Sequence, residues 1–162
     1  MEVKKPLKRN PAIVTFSKDH HFALLLVWKI REGLKKEIET SRISNYIIHF
    51  FDTDLIFHFE EEETLLFSKL PSDNLLRLQA EEEHKLIKLE IDALRNNPED
   101  KVGIENLANI LEKHIRFEER ELFNYLQEIF TEDELAAVAE AMEARTRDHE
   151  IIWKDEFWIV TK

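Results

Sequence analysis

Two segments of this chain repeat each other. HFEEEETLLF at residues 58–67 and HIRFEERELF at 114–123 align without gaps and share His, Glu, Glu, Leu and Phe at the same places. Each holds the pattern His-x-x-x-Glu, His58 with Glu62 and His114 with Glu118. On an α-helix, residues four apart lie about 40° apart around the axis, one turn along the same face. Each segment therefore presents an imidazole and a carboxylate side by side, on the side that its apolar neighbours mark as interior. Such groups are costly to bury unless something pairs with them. A divalent or trivalent cation satisfies both at once.

The rest of the chain favours helices. Of 162 residues only two are Gly and four are Pro, while charged residues make up 35% and hydrophobic ones 43%. Few breakers among many Glu, Lys, Leu and Ile read as long helices in one domain. The net charge of −11 argues against a broad electrostatic footprint on nucleic acid or an anionic membrane. Cysteine is absent, so any metal must be held by nitrogen and oxygen ligands. The basic N-terminus lacks the apolar run of a signal peptide, and no stretch is long enough to span a bilayer. The expected location is the cytoplasm.

Residues 1–15 read as an arm interrupted by Pro6 and Pro11, with the first helix beginning near Ser17 and running to about Ile38. His20 shares a face with Ala23, Leu24, Val27, Ile30 and Leu34, whereas the stripe of His21 ends on Glu32 and Lys35. The period favours His20 as the inward histidine, with His21 as the alternative if the phase is off by one. A second helix is expected from about Ser44 to Leu70, with Ile48, Phe51, Leu55, His58, Glu62 and Leu65 inward. Glu61 is the rival to Glu62, and Glu61, Glu63 and Glu119 are assigned to solvent. A third helix, from about Asn74 to Leu94, carries Leu76, Ala80, His84, Ile87 and Ile91 on one face. The fourth starts near Glu99 or Ile104, ends near Phe130, and carries Leu107, Leu111, His114, Glu118 and Tyr125. Thr131-x-x-Glu134 is a capping box that opens a shorter helix through about Arg145. His49 and His149 read as surface residues, and Trp28, Phe117 and Phe123 as core or pocket wall. The aromatic tail at 151–160 is expected to pack on the bundle or to form a homodimer contact.

This layout predicts an all-α fold: an up-down-up-down four-helix bundle over 16–130, with a C-terminal helix and tail over 131–162. Facing helices of such a bundle build metal sites in its core. A His, then His-x-x-x-Glu, occurs twice, as expected for two helix hairpins about a pseudo-twofold axis. Four imidazoles and two carboxylates exceed what a single zinc takes. They suit a pair of iron or manganese ions bridged by the two carboxylates. The ferritin-like pattern needs Glu-x-x-His on two helices. It occurs at Glu81 and His84, but Leu111 and Leu55 stand three residues before His114 and His58.

The residues DHH at 19–21, HFEEEETLLF, AEEEHKLI at 80–87 and HIRFEERELF resemble the hemerythrin family, the HHE cation-binding domain, over roughly residues 16–130. The resemblance implies a four-helix bundle around two iron ions with a hydroxo or oxo bridge, other divalent metals being alternatives. The implied ligands are His20, His58, Glu62, His84, His114 and Glu118. Oxygen-carrying relatives have a further His one turn from the third-helix histidine, where this chain has Ala80 and Lys88. Their second carboxylate is an Asp five residues on, where this chain has Glu four residues on. The pattern is closer to the bacterial or regulatory type, with a more open centre. The implied partner is a small ligand, dioxygen or nitric oxide, in sensing, storage or stress response. A binding protein is expected rather than an enzyme. The alternatives are an oxygen- or peroxide-reducing or ferrous-oxidising enzyme and a metal-dependent interaction module.

Overall fold

A computed structural model describes residues 8–145 and 152–159; His149 and Pro6 lie outside them. All regular structure among the described residues is helical. Helix α1 spans Pro11–Lys35. It begins six residues before the expected Ser17, because the Asn10 side chain caps it, accepting from the Ala12 N–H at 2.9 Å, and Pro11 fits the first turn, where its missing N–H costs nothing. Helix α2 is one rod built of Thr40–Phe50, a π-turn at Phe51–Leu55, Ile56–Glu61, a second π-turn at Glu62–Leu66 and a tight 3-10 turn at Phe67–Lys69. It stops at Leu70, whose extended backbone is what a following proline imposes. Helix α3 spans Leu75–Asn96, capped by Asn74. Helix α4 joins Lys101–Phe117, a π-turn at Glu118–Leu122 and Phe123–Ile129. Helix α5, Glu132–Glu143, opens with the expected capping box of Thr131 and Glu134.

Helix α1 packs against α2, α4 and α5, and α3 packs against α2 and α4. The side chains buried between them form two apolar clusters. One holds Leu26, Ile30, Ile47, Phe59, Ile87 and Leu111; the other holds Ile13, Phe16, Leu66, Phe67, Ala80, Leu122 and Phe123. On each of the four long helices the chain passes from one cluster to the other at or within a turn of a histidine: between Phe16 and Ala23, between Phe59 and Leu66, between Ala80 and Ile87, and between Ile115 and Phe117. A polar layer is therefore sandwiched between two dry ones.

The tail folds back on its own chain. Phe157 is buried in the first cluster, with Trp153 and Trp158 packed against it. A Cβ on Gly33 would stand 2.8 Å from the Phe157 ring and 2.9 Å from Ile43 Cδ1, so the absence of a side chain there admits the tail. Arg42 donates to both carboxylate oxygens of Asp155 at 2.8 and 2.5 Å. His49, half-buried, lies 4.8 Å from the Trp153 ring. Trp28, expected as core, is 49% exposed: it follows the outward stripe of His21 and Leu25, not that of His20.

Candidate metal centre

The six side chains singled out from the sequence all lie in the sandwiched layer, and all are buried. They form two overlapping groups, His20, His58, Glu62 and Glu118, and Glu62, His84, His114 and Glu118, in each of which one ligand atom per residue lies within 4.8 Å of the others. Glu62 and Glu118 belong to both groups. Each histidine meets them through Nε2. His20 Nε2 is 2.9 Å from Glu118 Oε1 and 3.7 Å from Glu62 Oε2. His58 Nε2 is 3.2 Å from Glu62 Oε1, His84 Nε2 is 3.1 Å from the same oxygen, and His114 Nε2 is 3.3 Å from Glu118 Oε1. The pseudo-twofold relation is visible in the rings. His20 and His58 are 4.8 Å apart at 69°, and His84 and His114 are also 4.8 Å apart at 69°. Phe rings wall both pairs: His20 stacks on Phe123 at 5.1 Å and His84 on Phe59 at 3.9 Å.

The phase alternatives resolve at this point. His20 points inward while His21 is exposed. Glu62 is buried, while Glu61 turns away and accepts from Arg145 at 3.1 Å.

Sequence reasoning missed an outer set of carboxylates, which lie around the four histidines. Asp19 on α1 accepts from His58 Nδ1–H on α2 at 2.9 Å. Glu63 on α2 stands 3.7 Å from His84 Nδ1 on α3. Glu83 on α3 accepts from His114 Nδ1–H on α4 at 2.7 Å, and Glu119 on α4 accepts from His20 Nδ1–H on α1 at 3.1 Å. Glu63 and Glu119, expected in solvent, are thus half-buried partners of the centre. The available signal was adjacency. Each of the four carboxylates is the chain neighbour of an inward residue, but the histidine it serves sits on the next helix.

This ring decides what the site can hold. A histidine that donates Nδ1–H outward turns the lone pair of Nε2 inward, the arrangement that metal-binding histidines adopt. The Nε2 atoms of His58 and His114 and the Oε2 atoms of Glu62 and Glu118 are buried without a hydrogen-bond partner. Buried polar atoms are seldom left so, and their convergence fits cations at the centre. The alternative occupant of each site is a proton. Burial disfavours charge on His114, but the Glu118 charge and hydrogen bonds to Glu118 and Glu83 push it up to about 10. Burial likewise opposes charge on His58, yet Glu62 and Asp19 hold it well above the usual histidine value. Against its own burial, Glu118 is held well below the carboxylate range by His114 and His20. The centre is a preorganised array of donors whose protons a metal must displace.

No curated protein and no solved structure matches the chain. One family model does, described as the hemerythrin HHE cation-binding domain, over residues 12–126. That span takes in α1 through most of α4, with all six inward donors and the four outer carboxylates. Covering well over half of the 162 residues, it places the chain in the hemerythrin HHE cation-binding domain family.

Proposed function

We propose that this protein binds two iron ions in an up-down-up-down four-helix bundle and uses them to bind a small diatomic ligand. In this reading His20 and His58 hold one ion, His84 and His114 hold the other, and Glu62 and Glu118 bridge them, with a hydroxo or oxo group as a third bridge. When bound and reduced, such an iron pair would supply two electrons to dioxygen, or an open coordination position to nitric oxide. The observation that carries the proposal is the set of buried inward Nε2 and Oε2 atoms that have no hydrogen-bond partner, two from histidines and two from the shared glutamates.

The chain's own residues set the conditions. Asp19, Glu83 and Glu119 fix the imidazoles of His58, His114 and His20 and raise their basicity. Phe59 and Phe123, stacked on His84 and His20, exclude water and keep the local dielectric low. Ala80, one turn before His84, adds no donor, so six side chains face two ions that each take up to six ligands. That leaves room for an exogenous ligand. The test is metal analysis of protein purified without added metal or chelator, followed by optical spectra of the reduced protein in air. Two irons per chain and charge-transfer bands that fade reversibly under vacuum are expected. A chain that takes up no transition metal rejects the proposal, and irreversible bleaching rejects the reversible binding of oxygen.

A further inference from the structure

The segment beyond the matched domain reaches the metal layer through one side chain. Arg145 follows the last residue of α5, Glu143, by two positions, and lies outside the span 12–126. Its guanidinium donates to Asp19 Oδ1 at 2.7 Å and to Asp19 Oδ2 at 3.0 Å, and to Glu61 Oε1 at 3.1 Å. Asp19 Oδ2 in turn accepts from His58 Nδ1–H at 2.9 Å. The relay Arg145–Asp19–His58 thus runs from the C-terminal helix to the inner face of the site.

Asp19 differs from the other outer carboxylates. Its side chain is 2% exposed, against 32% for Glu63, 29% for Glu83 and 30% for Glu119. A carboxylate with water access relaxes around its histidine. A buried one held by a two-pronged guanidinium has a fixed direction, because the planar fork matches both oxygens at once. Arg145 itself is largely covered, with 13% of its side chain exposed.

We propose that Arg145 is a positioning residue of the metal centre: by clamping Asp19 it fixes the orientation and tautomer of His58, making the C-terminal helix a working part of the site. The proposal rests on the di-metal reading above. Two rival roles give different signs. If Arg145 acted only as a nearby positive charge, removing it would tighten cation binding. If it acted only by docking α5, any equal loosening of α5 would weaken binding equally.

The test is cobalt(II) binding to the full chain, read by its visible absorption bands and by competition with a chelator. Arg145→Gln should bind cobalt about tenfold more weakly, the lower end for loss of a ligand's supporting partner, with altered bands. Arg145→Lys keeps the charge and loses the fork, so it too should bind more weakly than wild type; it carries the test if the Gln variant does not fold. Met142→Ala removes a buried α5 side chain without touching Asp19, and should keep affinity within about twofold. Asp19→Asn should weaken binding, and adding Arg145→Gln to it should cost nothing further, since both changes break one relay. Unchanged or tighter binding by Arg145→Gln, or a Met142→Ala loss of equal size, overturns the proposal. A wild-type chain that binds no cobalt overturns this and the di-metal reading together. A wild-type chain that binds it, with Arg145→Gln indistinguishable, overturns this one alone.

Discussion

The ring of outer carboxylates can be tested at its shortest link. Glu83 accepts from His114 Nδ1–H at 2.7 Å, and its far oxygen accepts from Gln79 at 2.9 Å. Hydrogen bonds to charged groups contribute about 1.5–3 kcal/mol. Losing the outer partner of a metal-bound histidine costs about 10–100-fold in metal affinity, or about 1.4–2.7 kcal/mol. Because 29% of the Glu83 side chain is exposed, water partly replaces it, and the lower half of that range is the expectation. Glu83→Ala should therefore bind cobalt about 10–30-fold more weakly than wild type. Glu83→Gln, which keeps an acceptor but not the charge, should fall between. Glu82→Ala, at an exposed neighbour, should bind like wild type. The assay is chelator competition at fixed pH and ionic strength, with urea denaturation of the metal-free proteins to confirm the fold. If Glu83→Ala and Glu82→Ala bind with the same affinity, the outer carboxylate does not support His114 and the ring is only a set of surface contacts.

Other expectations follow from the same geometry. Glu118 belongs to both donor groups, so Glu118→Gln should leave at most one ion per chain by metal analysis; two retained ions would contradict its sharing. In the metal-free protein, Asp19 and Glu118 are held below the carboxylate range, while His58 is raised and His114 is pushed up to about 10. The carboxylates then stabilise the fold above about pH 4 and lose that effect as pH falls, while the histidines stabilise it fully below about pH 6.5 and lose that effect as pH rises. Urea midpoints of metal-free protein should accordingly peak between these values and decline toward pH 10, whereas metal affinity should climb with pH because each ion displaces protons. A metal-free protein whose midpoint rises from pH 7 to 9 would contradict the raised histidines. Gly33→Ala places a methyl against Phe157 and Ile43. Overpacking by about 1–3 kcal/mol, less about 1 kcal/mol of helix propensity, predicts a net loss of about 1 kcal/mol, with altered Trp fluorescence from the tail.

The helical period alone was enough to point six donors inward, because each lies within a turn or two of buried apolar residues on its own helix. It failed where the helices are not regular. The π-turn at Phe51–Leu55 adds a residue before His58, so Ile47 is buried and Ile48 only half-buried. The π-turn at Glu62–Leu66 does the same on the other side, burying Leu66 and Phe67 in place of Leu65. Past Glu118 the third π-turn puts Leu126 in the core, and Tyr125 accepts from Asn74 at its edge instead. The outer carboxylates were illegible for a different reason. Their partners are set by which helix lies alongside, and in sequence a run such as Glu60–Glu63 looks like an ordinary solvated face. Arg145 was hidden by distance, 126 positions from the Asp19 it clamps.

The wide turns that begin at Glu62 and Glu118 bear on how the length of the chain is constrained. Taking one residue out of 63–65 would let the backbone close into ordinary α-turns, a local gain. The wide turn takes up one extra residue, so that deletion would leave Leu66 and Phe67 aimed into the apolar cluster they fill, whereas the same deletion in a regular stretch of the rod would swing everything downstream by about 100° about the axis. Length can therefore change at these wide turns with the end of the rod still correctly aimed, and in the regular stretches beside them it cannot.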